Sequence, residues 1–141
     1  MDLKKIFKGL PDWNKTVNDN FDLINKRVEQ DTGWIKASIG AGATTQFLEY
    51  RRIGDQVFYK GEGRTAKTGN IIAFAAGFRP DSDAVVEAGC VEGGGSAVGD
   101  QTVIKIDKVN NCMTIVYRTR ADSTFSMHGI SYFTKDPFPQ K

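Results

Sequence analysis

Glycine divides this chain in two. Gly9 is the only glycine among the first 31 residues, whereas the other fourteen fall between Gly33 and Gly129. Glycine inside a helix costs roughly 1 kcal/mol relative to alanine, and the same residue supplies the positive-φ positions of tight turns. The first part is therefore free to be helical. The remainder reads as short strands separated by turns.

Within the first part, Val17, Phe21, Ile24 and Val28 recur at a 4-3-4 spacing, which draws one narrow apolar stripe down a helix. Pro11-Asp12 opens that helix, with Asp12 as the expected cap. Asn18, Asp19, Asn20, Asp22, Asn25, Lys26 and Arg27 occupy the other faces. Alternate a and d seam positions of a coiled coil follow the same spacing, but about two heptads do not hold together alone. The stripe packs either on its own globular part or on further copies of itself. Charge permits both, because six basic residues (Lys4, Lys5, Lys8, Lys15, Lys26, Arg27) balance six acidic ones (Asp2, Asp12, Asp19, Asp22, Glu29, Asp31).

After Asp31-Thr32-Gly33 the pattern becomes period two, or short apolar runs bounded by glycine and polar turn residues. It predicts eight strands near residues 34–39, 46–53, 56–61, 70–75, 84–91, 101–107, 112–118 and 123–134, the last bent or split at Gly129. Gly54-Asp55 predicts a two-residue hairpin turn, and Val109-Asn110-Asn111 a slightly longer one. No helical pattern separates the strands, which excludes βαβ units. The expected fold is mainly β: an N-terminal segment over residues 1–31 that carries the helix, then an antiparallel β-sandwich or jelly-roll-like head over residues 32–141.

Composition removes several function classes. With 40% apolar and 26% charged residues the chain is neither disordered nor fibrous. No apolar run approaches a membrane span, and the basic start Met1 to Lys8 lacks an apolar signal core, so neither anchoring nor export is expected. A net charge of +2 is too small to bring in a nucleic-acid partner by electrostatics. Cys90 and Cys112 are expected as reduced core residues, and a single histidine, His128, leaves no histidine-based metal site. No metal or cofactor is expected.

Motifs that could carry chemistry fail on context. Gly61 to Thr68 comes within one residue of a phosphate-binding loop, but Ala66 replaces its second glycine and a strand follows where a helix is required, so an exposed hairpin tip is expected. Asp81-Ser82-Asp83 lacks a third ligand, and Glu92 to Gly99 reads as a connector. Asn14-Lys15-Thr16 spells a glycosylation site that an unexported chain does not use. Ser126, His128 and Asp122 have the residue types of a triad without a nucleophile elbow, and no enzyme is expected. The densest group of hydrogen-bonding side chains runs from Arg118 to Tyr132. From it, Arg118, Arg120, Asp122, His128 and Tyr132 are candidate saccharide contacts, with planar polar groups for hydroxyls and an aromatic face for the ring.

Several phrases resemble a known family. Lys4-Lys5-Ile6-Phe7-Lys8-Gly9 followed by Asn14 to Asn25 is similar to the start of tail-fibre and baseplate receptor-binding proteins of bacteriophages infecting Gram-positive bacteria, the lactococcal type especially. Thr32-Gly33-Trp34, Tyr50 to Val57 and Gly77-Phe78-Arg79-Pro80 resemble phrases of the small heads of such proteins. The resemblance implies a homotrimer with Val17, Phe21, Ile24 and Val28 as its seam and residues 1–10 attached to another tail or baseplate protein. It also implies heads that bind host cell-surface polysaccharide, and a place in the virion at the tail tip or baseplate after synthesis in the host cytoplasm. No repetitive shaft separates helix from head. A structural or accessory baseplate subunit that binds no glycan is the alternative role.

Overall fold

The structure, a computed structural model, describes residues 12–65, 67–89 and 100–139. They form one helix, α1 (Trp13–Glu29), and nine strands: β1 (Ile35–Lys36), β2 (Ala43–Ile53), β3 (Gln56–Thr65), β4 (Gly69–Ala73), β5 (Ala84–Ala88), β6 (Thr102–Asp107), β7 (Cys112–Arg118), β8 (Thr124–Ser126) and β9 (Ser131–Phe133). Five strands make one sheet in the order β1-β2-β3-β8, with β9 also paired to β3, and four make a second in the order β4-β7-β6-β5. Every pairing is antiparallel. The fold is thus mainly β in a sandwich-like arrangement behind one N-terminal helix.

Alternation builds the core. Along β3, Val57, Tyr59 and Thr65 turn inward while Phe58, Lys60 and Arg64 turn outward. Leu48 and Val57 of one sheet bury their side chains with Ile71, Ile104, Ile106, Met113 and Ile115 of the other, and Phe125 and Met127 complete the cluster. Cys112 is buried and reduced, as expected; Cys90 and the Glu92–Gly99 connector lie outside the described residues.

Two expectations are corrected and a third holds. β2 and β3 run longer than their apolar patterns, to Ala43 and Thr65, so the stretch read as a hairpin tip is mostly strand, and only residues 66–68 connect it to β4. Gly61 serves close approach, not a turn: it has φ 121, and a Cβ there would collide with the Phe47 carbonyl, where β2 carries a bulge between Thr45 and Phe47. The last predicted strand splits at Gly129 as expected, into β8 and β9, because Gly129 (φ 85) and the Ile130 N–H to Met127 carbonyl bond (3.2 Å) turn the chain between them.

Asp12 precedes α1, but its side chain makes no cap bond. Its backbone is left-handed (φ 55, ψ 36), whereas a capping side chain reaches the first-turn amides from an extended backbone. At its other end α1 is tied to the β2–β3 hairpin. The Gly54 N–H donates to the Gln30 carbonyl (2.8 Å), and the Arg51 guanidinium forks onto the Asp31 carboxylate, with Nε donating to Oδ1 at 2.8 Å and Nη2 to Oδ2.

The helix does not turn its stripe toward the head. Leu23, Lys26 and Gln30 line an open cavity of about 640 Å³ together with Arg52, Ile53, Lys135 and Phe138. Phe21 is 57% exposed and Ile24 38%, and Trp13, one turn before the half-buried Val17, extends the same stripe at 62%. At about 100° per residue, Ile24 and Phe21 point roughly 100° and 160° away from Leu23. The side chain of Val28 lies outside the described residues.

Candidate functional site

The two ends of the head differ in construction. At the helix end, Arg52 is 4% exposed and its guanidinium donates to the carbonyls of Gly54 (2.7 Å), Asp136 (2.9 Å), Pro137 (3.2 Å) and Gly77. The Phe138 ring packs against it at 5.1 Å. The Asp136 carboxylate in turn accepts the N–H groups of Gly77 (2.9 Å) and Arg79 (3.2 Å). Tyr50 to Val57 and Gly77 to Pro80, distant in sequence, meet here around one buried cation. Their role is structural.

The opposite end lies the length of β2 away, 11 residues or about 36 Å. Here Thr65, the last residue of β3, organises the Arg118–Ser123 loop. Its N–H donates to the Ser123 carbonyl (2.9 Å), its carbonyl accepts the Asp122 N–H (2.9 Å) and Arg118 Nη1 (3.1 Å), and its hydroxyl donates to the Arg120 carbonyl (3.3 Å). Arg120 Nε stands 3.7 Å from the Asp100 carboxylate. Arg118, Arg120 and Asp122 are therefore brought together, with Asp122 held at φ 61 by its bond to β3.

The other two candidates sit elsewhere. His128 is exposed in the turn after β8, where the preceding Met127 N–H donates to the Gly61 carbonyl (2.9 Å), four residues down β3 from Thr65. Tyr132 pairs with Val57, four residues further, and is only 8% exposed. Its hydroxyl donates to the Phe78 carbonyl (2.6 Å) and accepts from Tyr59 (2.9 Å). Burial pushes both phenols above their ordinary values, so both stay protonated. Tyr132 is a core residue and offers no ring face to a ligand.

Other residues occupy the tip. Arg64 is exposed on β3 opposite Thr124, and Lys67 is exposed in the following connection. Neither side chain has a hydrogen-bond or ion-pair partner among the described residues. Tyr117, one residue before Arg118, is an exposed aromatic. Arg64 and Lys67 belong to the stretch that resembled a phosphate loop, and their separation from Arg118 in sequence hid the juxtaposition. Among the described residues, no group of three or more His, Cys, Asp or Glu side chains is placed to hold a metal ion. No described helix is long and apolar enough to cross a membrane.

No protein-family model matches the chain, and no curated protein does. Among solved structures it is similar to the receptor binding protein gp15 of Listeria phage PSA, with a TM-score of 0.66 and 19% identity over 92% of this chain and 82% of that one. Residues 32–141 make up 110 of the 141 residues, about 78%, so a match of 92% reaches past the head into the helical segment. At this identity the shared feature is the path of the backbone. In fold, this chain, with its helix leading into a two-sheet head, is similar to that phage receptor binding protein.

Proposed function

We propose that this chain is a non-enzymatic adhesin of a phage tail, a homotrimer that binds saccharides of the host cell surface. The observation that carries the reading is polarity: helix at one end of the head, a cluster of hydrogen-bonding side chains at the other, in a fold similar to a phage receptor-binding protein. Residues 1–10 attach to another tail or baseplate protein. The exposed Phe21 and Ile24, continued by Val17 and Val28, form the trimer seam, and residues 32–141 form the head. Arg118, Arg120 and Asp122 contact sugar hydroxyls. Tyr117 supplies the aromatic face that the buried Tyr132 does not, and His128, four residues further down the sheet, stands apart from this cluster.

Trimerisation serves binding by mass action. A single shallow sugar site is weak, but linked heads that engage together raise avidity by about 10²- to 10⁴-fold. The test is adhesion of fluorescently labelled full-length protein to purified walls from a panel of Gram-positive bacteria. Retention on some walls, lost in an Arg120→Ala, Asp122→Ala double variant with an unchanged melting temperature, is the expected result. Retention on none would favour the accessory baseplate role.

A further inference from the structure

By composition, the link between α1 and the head is a swivel. Only Gln30 to Gly33 separate the helix from Trp34 and β1, and Gly33 stands in the left-handed region at φ 66. Four polar or small residues ending in glycine make a flexible connector when nothing holds them. Here each is tied down. The Gln30 carbonyl accepts the Gly54 N–H (2.8 Å), and Asp31 forms an antiparallel bridge with Ile53. The Asp31 carboxylate accepts the Gly33 N–H (2.8 Å) and both donors of the Arg51 fork. Thr32 donates its N–H to the Arg52 carbonyl (3.0 Å), and its hydroxyl accepts the Arg52 N–H (2.9 Å) while donating to the Gly33 carbonyl (2.9 Å). Trp34 adds to the fork: Arg51 stands 5.9 Å and Lys60 4.3 Å from its ring centroid, and Lys60 pairs with Glu49 at 2.8 Å. The hairpin that receives these bonds is itself fixed, because the Gly54 carbonyl accepts from buried Arg52, which also holds the Asp136 and Pro137 carbonyls. Further along the helix the space beside the head is an open cavity, so the direction of α1 is set at its base.

We propose that residues 30–34 form a rigid elbow, in which Asp31, Thr32, Trp34 and Arg51 are positioning residues that hold α1 at one angle to the head. Its consequence for binding rests on the adhesin reading; its stiffness does not. The tip stands about 36 Å from the elbow, so a swing of about 20° there would carry the tip about 12 Å sideways. Linked heads gain avidity only where geometry lets them engage together, and fixing their spacing before contact removes the cost of ordering them afterwards. The elbow therefore governs how several heads meet one surface, a task separate from the chemistry by which one head holds its ligand.

The experiment uses full-length protein in three forms: the native chain, Asp31→Ala/Thr32→Ala, and Arg51→Lys, which keeps the charge and loses the fork. Amide hydrogen exchange reads the elbow. Retention on purified Gram-positive walls reads the positioning, with binding of soluble fragments digested from the same walls as the single-head control. In the native chain the Thr32, Gly33 and Gly54 amides should exchange about 100-fold or more slower than those of an unfolded chain. The double variant should speed them by about tenfold or more and leave the Tyr59 and Thr65 amides, bonded within the head, as protected as before. Its retention on walls should fall by about tenfold with fragment binding unchanged, and Arg51→Lys should show the same pattern in smaller measure, which keeps the comparison open if the double variant melts early. Native junction amides that exchange like an unfolded chain would overturn the elbow. Loosened amides with unchanged wall retention, or equal losses on walls and fragments, would overturn its part in positioning and leave the adhesin reading in place. Retention of the native chain on no wall would overturn the adhesin reading and the positioning role with it, while the exchange result still decides the elbow.

Discussion

Phe125 and Phe21 are the same side chain in opposite circumstances. Phe125, on β8, is wholly buried between the sheets, whereas Phe21, on α1, is 57% exposed. The head closes its own core: nine strands alternate inward and outward, and Arg52 and Tyr132 bind the C-terminal segment and the Phe78 loop onto it. The helix has no such closure. Phe21 and Ile24 of its stripe face away from the head, while Leu23, Lys26 and Gln30 line the cavity beside it. The head also leaves Val85 (66%) and Phe133 (55%) exposed, but its two sheets close a core of their own, so on the proposed reading the head stands alone and the helix meets further copies of itself.

The sharpest way to break that contrast is to shorten both phenylalanines. Phe125→Ala should cost the head about 3–5 kcal/mol in denaturant unfolding, since it leaves a cavity that two sheets cannot close. Next in size is Arg52→Met, which removes the donor from several buried carbonyls and should cost about 2–3 kcal/mol by the same measurement. Were it neutral, the helix end would not depend on that cation.

Acid should act on the head as well. Lys105 and the Asn110 backbone and side chain hold the Asp107 carboxyl well below the usual carboxylate range. A depressed folded-state pKa contributes stability that is complete above the unfolded value near 4 and is lost as pH falls below it. Melting temperature should therefore drop as pH is lowered from about 5 toward 2, and Asp107→Asn should melt lower than the native chain at pH 7 with a flatter acid limb. The smallest effect is expected for Phe21→Ala, whose unfolding free energy at dilution should stay within about 0.5 kcal/mol of native. A loss like that of Phe125→Ala would show that the stripe is packed on its own head.

What was legible in the sequence was local. The Gly54-Asp55 turn, with Gly54 at φ 60, joins β2 to β3 as the dipeptide predicts, because a two-residue hairpin is decided by its own backbone. The helix and its stripe follow from spacing alone. Gly61 was misread because its reason is the bulged β2 backbone, contributed by residues 14 positions away at Phe47. Tyr132 was misread for a related cause. In one continuous strand it would share a face with Ser126 and His128. The turn at Gly129 shifts the alternation by one residue, so Phe125 and Met127 face inward before it and Tyr132 faces inward after it. Arg118, Arg120 and Asp122 could be grouped because they are neighbours in the chain. Arg64 and Lys67 joined them only through the pairing of β3 with β8.

The central claim, that the head is self-sufficient and the helix is an association surface, is tested most directly by solution mass. Light scattering on a size-exclusion column is the measurement, applied to the native chain of 15.6 kDa and to Phe21→Asp/Ile24→Asp. The expected result is about 47 kDa for the native protein, three chains, and about 16 kDa for the variant, with the melting of the head preserved in both. A native monomer at every concentration, or a variant whose head no longer folds, would contradict it.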